Sequence, residues 1–412
     1  MSRLWLGLLV VFTLAASGCA TFKPRPIDEV RFRARAQTKS DGKVRVTVAV
    51  LSAEETKEVF DLDLYRKGIQ PIWMEIENNY EERVWVPHVG LDPDYFAPLE
   101  VAYMHRYSFS EQANREMEQY FHDNAMRYII DPGSVRSGFV FTHLQLGTKS
   151  FNVDLIWGDH QFTTFTFFIP VPGLRVDHRE VDWQSLYSRN EFVSYDETGL
   201  REALENLPCC TTNEDSTKQG GPLNLVVIGS GQDVHHAFIR SGWDETETRN
   251  PASGSTTRTS SVYSGRYRHA ATSPLYVFGR PQDVVFRKSR KTARERAQIS
   301  LWLSPMTLEG KPVWIGQINR EIRARSEAKR YRIEPDLDEA RTYILQDLIY
   351  SQGLVKFGHV KGVGAATISA PRENLKGQAY FTDGYRVVLW VSSRPISFSE
   401  VGVVEWERPF ER

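Results

Sequence analysis

The chain has 412 residues, with 51 Lys and Arg against 52 Asp and Glu, for a formal net charge of −1. That balance argues against bulk nucleic-acid binding, which draws on a basic surplus, and leaves local charge clusters as the places where an anion would sit. A hydrophobic content of 41% and an aromatic content of 12% suffice for packed cores, and the length predicts two folded domains.

Arg3 precedes a continuous apolar stretch over 4–16, followed by Ala16-Ser17-Gly18-Cys19. This order predicts a signal peptide over residues 1–18, its apolar part too short for a membrane span. Small residues running up to a Cys resemble the lipobox of bacterial lipoproteins, which implies a diacylglyceryl group on Cys19 as the membrane anchor. Each buried CH₂ of such a lipid contributes about 0.8 kcal/mol. Ala20, rather than Asp, follows the Cys. By resemblance to enterobacterial sorting, that implies the outer membrane, with the chain facing the periplasm. Residues 19–27, with Pro24 and Pro26, read as an extended tether.

From 28 to 176 the pattern is strands and turns. Val44, Val46, Val48 and Val50 alternate with Arg45, Thr47 and Ala49, the period of a half-buried strand. Strands are also predicted over 72–77, 84–86, 137–144, 150–157 and 162–169, with Gly147 and Gly158-Asp159 marking turns. Such a run predicts an antiparallel β-sandwich. One helix interrupts it, with Ser108 and Glu111 as its capping box and Met117, Phe121, Met126 and Tyr128 facing the sheet. Asp92-Pro93-Asp94 reads as a turn, since two carboxylates fall well short of the six or more oxygens Ca²⁺ takes.

Residues 177–215 read as a linker with a short helix before Pro208. The second domain is placed at 216–405. Residues 223–228 form a buried-type strand, and Gly229-Ser230-Gly231 leads into a helix capped by Ser230 and Asp233. Neither nucleotide-binding fingerprint is completed there. Residues 244–272 read as a long polar loop. Asp336 and Asp338 sit in the first turn of a helix after Glu334-Pro335, where negative charge complements the helix dipole. Residues 353–364 are Gly-rich and end the helix region, and 378–391 read as a hairpin about Asp383-Gly384. The fold class is therefore α+β: the N-terminal antiparallel β-sandwich, then a C-terminal α/β domain with a mixed, mostly antiparallel sheet. Cys209 and Cys210 are adjacent, and three states are open to them: a strained vicinal ring, pairing with a partner chain, or free thiols. They do not suggest zinc together with His235-His236, because adjacent ligands diverge. No metal and no cofactor are expected.

The second domain is organised around 273–322, which reads as a strand, a Gly279-Arg280-Pro281 turn, a strand, a basic run and a hairpin. Trp302 and Trp314 on the hairpin are expected to fill the core. The basic run is Arg287, Lys288, Arg290, Lys291, Arg294 and Arg296. It reads as a candidate anion-binding rim for a lipid head group or acidic glycan. The segments Pro274-Leu275-Tyr276-Val277-Phe278-Gly279-Arg280-Pro281-Gln282-Asp283 and Pro312-Val313-Trp314-Ile315-Gly316 resemble the LssY C-terminal domain family of bacterial envelope proteins, and the strand from Pro222 and the stretch from Ile333 to Leu348 fit it too. The likeness covers about 216–395. It departs at Arg332, Ile333 and Glu334, where the family often carries His and Asp before the Pro-Asp pair. Polar residues that interrupt these motifs, Arg280, Asp283, Arg320, Asp336 and Arg341, are the candidate polar site.

Three functions are weighed, the last of them a purely structural role as a spacer or scaffold in an envelope complex. The first is a lipid-anchored envelope protein that binds an anionic glycan, a lipid head group or a protein partner. The second is a hydrolase of a phosphorylated lipid or glycan, suggested by longer proteins in which a related domain follows a lipid-phosphatase module. The paired Arg-His motifs of that module are missing from this chain, as are Gly-x-Ser-x-Gly and His-Glu-x-x-His. No residue is singled out as catalytic.

Overall fold

The computed structural model describes residues 21–248, 269–289, 295–323 and 331–409. Cys19, Arg290, Lys291, Arg294 and the signal stretch 1–18 lie outside the described residues. The chain divides into two compact units, Met1–Gly173 and Leu174–Arg412.

In the first unit the elements run β1 Gln37–Ser40, β2 Val44–Val50, α1 Ala53–Phe60, β3 Ile69–Asn78, β4 Val84–Trp85, α2 Pro98–Met104, α3 Glu111–Asp123, β5 Ile129–Ile130, β6 Ser134–His143, β7 Thr148–Trp157 and β8 Gln161–Pro170. Two four-stranded sheets result, in the orders β1-β2-β3-β6 and β5-β4-β7-β8, and every pairing is antiparallel. The alternating valines of β2 pack with Ile72, Met74 and Ile76 against Phe151, Val153, Leu155 and Phe167 of the facing sheet. The other face of the first sheet is also buried. There Ala49, Trp73, Phe139 and Phe141 meet Phe60, Val101, Met117 and Phe121 from the helices. The sandwich therefore carries a helical layer on one side.

Three details differ from the sequence reading. Three helices, α1, α2 and α3, interrupt the strands where one was expected. Helix α3 starts after Ser110 and ends before Asn124, so Met126 and Tyr128 follow it rather than belong to it. Residues 21–26 do not hang free as a tether. Phe22 is buried in the helical-layer core, the Lys23 N–H donates to Asp61 Oδ2 at 2.8 Å, and the Arg25 N–H donates to the Glu58 carbonyl at 2.8 Å. The prolines keep the segment extended, but the aromatic side chain anchors it.

Lys149 on β7 is buried, with its Nζ donating to the His143 carbonyl at 2.6 Å. Burial pulls its pKa down to about 7, against a smaller opposing pull from Asp92. The folded state thus penalises the charged form, while the unfolded chain keeps it near the ordinary lysine range. Below pH 7 both states are protonated and the penalty is complete. As pH rises above 7 the folded state sheds its proton first, so stability should rise by up to about 1.4 kcal/mol per pH unit. Urea denaturation of the first unit between pH 7 and 9.5 should show this rise, and Lys149→Met should flatten it. A wild-type profile already flat across that window would refute the assignment.

In the second unit the elements are β9 Val193–Tyr195, α4 Glu197–Glu205, β10 Cys210–Thr212, β11 Gln219–Pro222, β12 Leu225–Ile228, α5 Gly231–Arg240, β13 Asp244–Glu245, β14 Tyr276–Val277, β15 Arg280–Pro281, β16 Val284–Ser289, β17 Glu295–Leu308, β18 Lys311–Arg323, β19 Tyr331–Ile333, α6 Leu337–Tyr350, β20 Leu354–Lys361, β21 Arg372–Glu373, β22 Ala379–Tyr380, β23 Tyr385–Val391 and β24 Gly402–Val404. One large sheet has the order β13-β16-β17-β18-β12-β23-β20-β24, with β19 on β18 and β9 on β17. It is mixed: β12/β23, β20/β24 and β9/β17 are parallel and the rest antiparallel. On one face Leu200 and Leu204 of α4 cover Val226, Ile228, Trp302, Val313, Ile315, Val388 and Trp390. Because side chains alternate along a strand, the neighbours Phe286, Trp314 and Val387 belong to the opposite face. Phe238 of α5 stacks on Phe286 there, with ring centroids 5.0 Å apart. No described helix is long and apolar enough to cross a membrane.

The stretch 177–215 is part of this unit and not a linker. Its β9 extends the sheet beside β17, the Tyr187 hydroxyl donates to the Leu303 carbonyl at 3.0 Å, and α4 supplies core leucines. Of the expected loop 244–272, residues 244–246 are buried because β13 pairs with β16, and residues 249–268 lie outside the described residues. The Gly-rich 353–364 stretch contains a sheet strand, β20. The expected hairpin about Asp383-Gly384 is absent: β23 lies between β12 and β20, away from β22. Gly384 is needed for a different reason. Its φ is +92°, and a Cβ there would lie 2.7 Å from the Ala365 nitrogen.

Candidate functional site

The polar groove of the second unit is built by strand register. Arg287 on β16 faces Gln298 on β17, which faces Asn319 on β18. One step along, Arg296 faces Glu321, and one step back Ser300 faces Gln317. These residues share one face, since each strand contributes every second position. The segments 271–275 and 374–378 wall the space above them, leaving a groove of about 180 Å³ that also takes in Gly221, Ile333, Leu337 and Lys376. Arg287 is only 3% exposed. Its Nη1 donates to the Ala270 carbonyl at 2.9 Å and its Nη2 to Gln298 Oε1 at 3.1 Å. Arg296 pairs with Glu321. Asn319 Oδ1 is shielded from water with no hydrogen-bond partner among the described residues. The lining therefore offers amide donors and acceptors together with Arg287, Arg296 and Lys376 against one carboxylate, Glu321.

Of the six residues of the basic run, Arg287 and Arg296 line this groove. Lys288 points to the other face, where its Nζ donates to the Ser241 carbonyl and to Asp347 Oδ1 at 2.6 Å. The amides Gln298, Gln317 and Asn319 were not picked out from sequence. Their signal is the polar-apolar alternation in Gln298-Ile299-Ser300-Leu301 and Gln317-Ile318-Asn319, visible once both strands are placed in one hairpin.

The five residues of the candidate polar site do not come together. Arg280 forms a two-pronged pair with Asp283 at 3.1 and 3.0 Å, and donates to the Tyr187 hydroxyl at 2.8 Å and to the Leu303 carbonyl at 2.6 Å. Asp283 also accepts the Leu303 N–H at 2.7 Å. Arg320 sits opposite Ala297, six residues from Leu303 along β17, or roughly 20 Å by strand rise. It pairs with Glu334 at 3.3 Å and lies over the Tyr343 ring. Asp336 is the N-cap of α6, its carboxylate accepting the Asp338 N–H at 3.1 Å. Arg341 is buried and binds Asp383 through both nitrogens at 2.7 and 2.6 Å, and the Tyr385 carbonyl at 2.7 Å. These contacts fasten turns and helix ends to the sheet.

On the opposite face of the sheet a second group converges. His178 from the turn Asp177–Arg179, His235 from α5 and Glu245 from β13 present their ring and carboxylate atoms within 4.8 Å of one another. Glu245 Oε1 lies 3.0 Å from His235 Nε2, 3.3 Å from His178 Nε2 and 4.0 Å from Arg179. Burial alone would raise the Glu245 pKa, but the two imidazoles and Arg179 outweigh it and hold the carboxyl down at about 2. Burial lowers His178 to about 4, against the pull of Glu245. The sequence reading set His235 beside His236 and the Cys209-Cys210 pair, and not beside His178 or Glu245. The partners are 57 residues before and 10 after His235, and the contact is made by folding.

Cys209 and Cys210 are joined to each other, so the vicinal ring is the state seen among the three open to them.

Residues 201–385 match the family described as LssY C-terminus, beginning inside α4 rather than at the expected 216. No curated protein and no solved structure matches the chain. The matched span runs from α4 through β12, the long hairpin and α6 to the start of β23, so this part of the second unit is similar to the LssY C-terminus family.

Proposed function

We propose that this is a lipid-anchored envelope protein whose second unit binds a polar, anionic ligand in the groove above β16, β17 and β18. The observation that carries this reading is the register row Arg287–Gln298–Asn319, flanked by Arg296 and Lys376. Amides in a row satisfy hydroxyls, and guanidinium groups satisfy phosphate or carboxylate oxygens. The groove's size suits a single sugar or head group rather than an extended chain. The anchor rests on the sequence around Cys19, and with it the proposed address at the outer membrane facing the periplasm.

Glucose 1-phosphate is a suitable probe, with glucose and inorganic phosphate as the two halves of its chemistry. Titration calorimetry should give saturable binding of the sugar phosphate, tighter than either half. Arg296→Gln or Lys376→Gln should weaken it by about tenfold or more, as expected for a lost charged hydrogen bond. Equal affinity in both variants and wild type would place the ligand elsewhere. Absence of saturable binding for all three probes would defeat the reading.

A further inference from the structure

We propose a divalent transition-metal site in the second unit, formed by His178 Nε2, His235 Nε2 and the Glu245 carboxylate, with its open position facing an apolar cavity. It lies on the face of the sheet opposite the polar groove, so it stands or falls apart from the ligand reading above.

Three independent elements converge for reasons visible in the backbone. β13 places Glu245 opposite Phe286 at the sheet edge. Two residues later, Glu247 bridges to Val176, which brings the 177–179 turn and His178 alongside. α5 then lays His235 over Phe286 from above, with ring centroids 6.3 Å apart. The spacing suits a metal. Ligands at about 2.0–2.1 Å from a tetrahedral ion sit roughly 3.3 Å apart. The two imidazole nitrogens lie 3.0 and 3.3 Å from Glu245 Oε1.

A hydrogen-bonded cluster accounts for only part of this arrangement. Both imidazoles converge on the one oxygen, Oε1. Glu245 is 1% exposed, and its other oxygen, Oε2, is buried without a hydrogen-bond partner among the described residues. A buried carboxylate oxygen left bare is costly, and a cation beside the carboxylate removes that cost. Two imidazoles and one carboxylate form the three-ligand pattern that leaves a fourth position free, a pattern suited to Zn²⁺.

That fourth position has somewhere to open. A cavity of about 360 Å³ is lined by His178 and His235 together with Trp183, Val234, Phe286 and Trp314. The imidazoles are the polar part of an otherwise apolar wall. The exchangeable ligand is therefore water, or the donor atom of a molecule whose body is apolar.

The test uses the full chain in detergent, without a histidine tag, stripped with chelator and dialysed. Zn²⁺ should return at one ion per chain. Co²⁺ in its place should give the intense visible bands of a four-coordinate ion. His178→Ala, His235→Ala and Glu245→Gln should each lose the bands and weaken binding by at least ~100-fold, since a direct ligand contributes no less than an outer partner does. His160, whose side chain is 94% exposed, serves as control, and His160→Ala should bind as wild type does. Two results would overturn the proposal: a folded wild-type protein that takes up Co²⁺ without those bands, or a His178→Ala variant that binds as tightly as wild type. Should the variants fail to fold, the wild-type cobalt spectrum and stoichiometry decide the matter alone.

Discussion

Arg386→Met should cost the second unit about 3 kcal/mol or more, measured as a fall in its urea midpoint with the slope unchanged. Arg386 lies on β23, fully buried. Its guanidinium donates to four backbone carbonyls, Leu223 at 2.8 Å and Leu207, Pro208 and Gly362 at 3.0 Å each. No carboxylate answers its charge among the described residues, and burial pulls its pKa down. Those four carbonyls end α4, lead into β12 and close β20, so a single side chain ties three segments to the central strand. Methionine fills much of the volume and supplies no donor. Lysine restores the charge but not the fork, so Arg386→Lys should remain well below wild type. A methionine variant within 1 kcal/mol of wild type would mean that those carbonyls find other partners.

The second large effect concerns Arg341. Removing it leaves Asp383 and Asp338 facing a space that held a cation, with Asp338 already raised in pKa by burial despite Arg341. Arg341→Met should therefore cost about 3–5 kcal/mol at pH 7, the usual result of leaving buried charge unanswered. The pH dependence follows. Without Arg341 the Asp338 carboxyl loses the cation that opposes its burial, and its folded-state pKa rises further above the unfolded value. The defect is then complete at pH values above that raised pKa, and shrinks as pH falls and the carboxyl takes up a proton. Adding Asp338→Asn should recover part of the loss at pH 7 and weaken the pH dependence. If the double variant were as unstable as the single one at every pH, lost packing rather than charge would be the cause.

How much of this was legible in sequence depends on the range of the contact involved. The valine alternation of β2 and the Ser230-Asp233 cap of α5 are local patterns, and both are present in the structure. Trp302 and Trp314 are buried as strand aromatics should be. Asp383-Gly384 shows where local reading stops. Asp-Gly between apolar runs is a strong hairpin signal, yet here the carboxylate holds Arg341, 42 residues away, and the strand after it joins β12. The stretch 177–215 reads as linker because its residues are polar and mixed, while its role as a sheet edge beside β17 depends on a partner more than 100 residues distant. The groove was half visible: Arg287 and Arg296 stand out as charges, whereas Gln298 and Asn319 acquire meaning only from the register between strands. His178 and Glu245 carried no signal, since nothing in the spacing of 178, 235 and 245 marks them as neighbours.

The placement of β23 also bears on how the second unit acquires its structure. β12 is four residues long and pairs on one side with β18 and on the other with β23, from Leu225↔Val387 to Ile228↔Trp390. Its parallel partner arrives about 160 positions later. A growing chain can therefore close the β17–β18 hairpin early, while the middle of the sheet waits for nearly the last strand to appear. Until then the edge of β12 that β23 will occupy has no partner. Closing so long a loop before any pairing rewards it makes for slow folding. During that interval the unfinished sheet exposes a β-edge that other chains can join, so holdase protection would matter most for this protein between the emergence of β18 and the docking of β23.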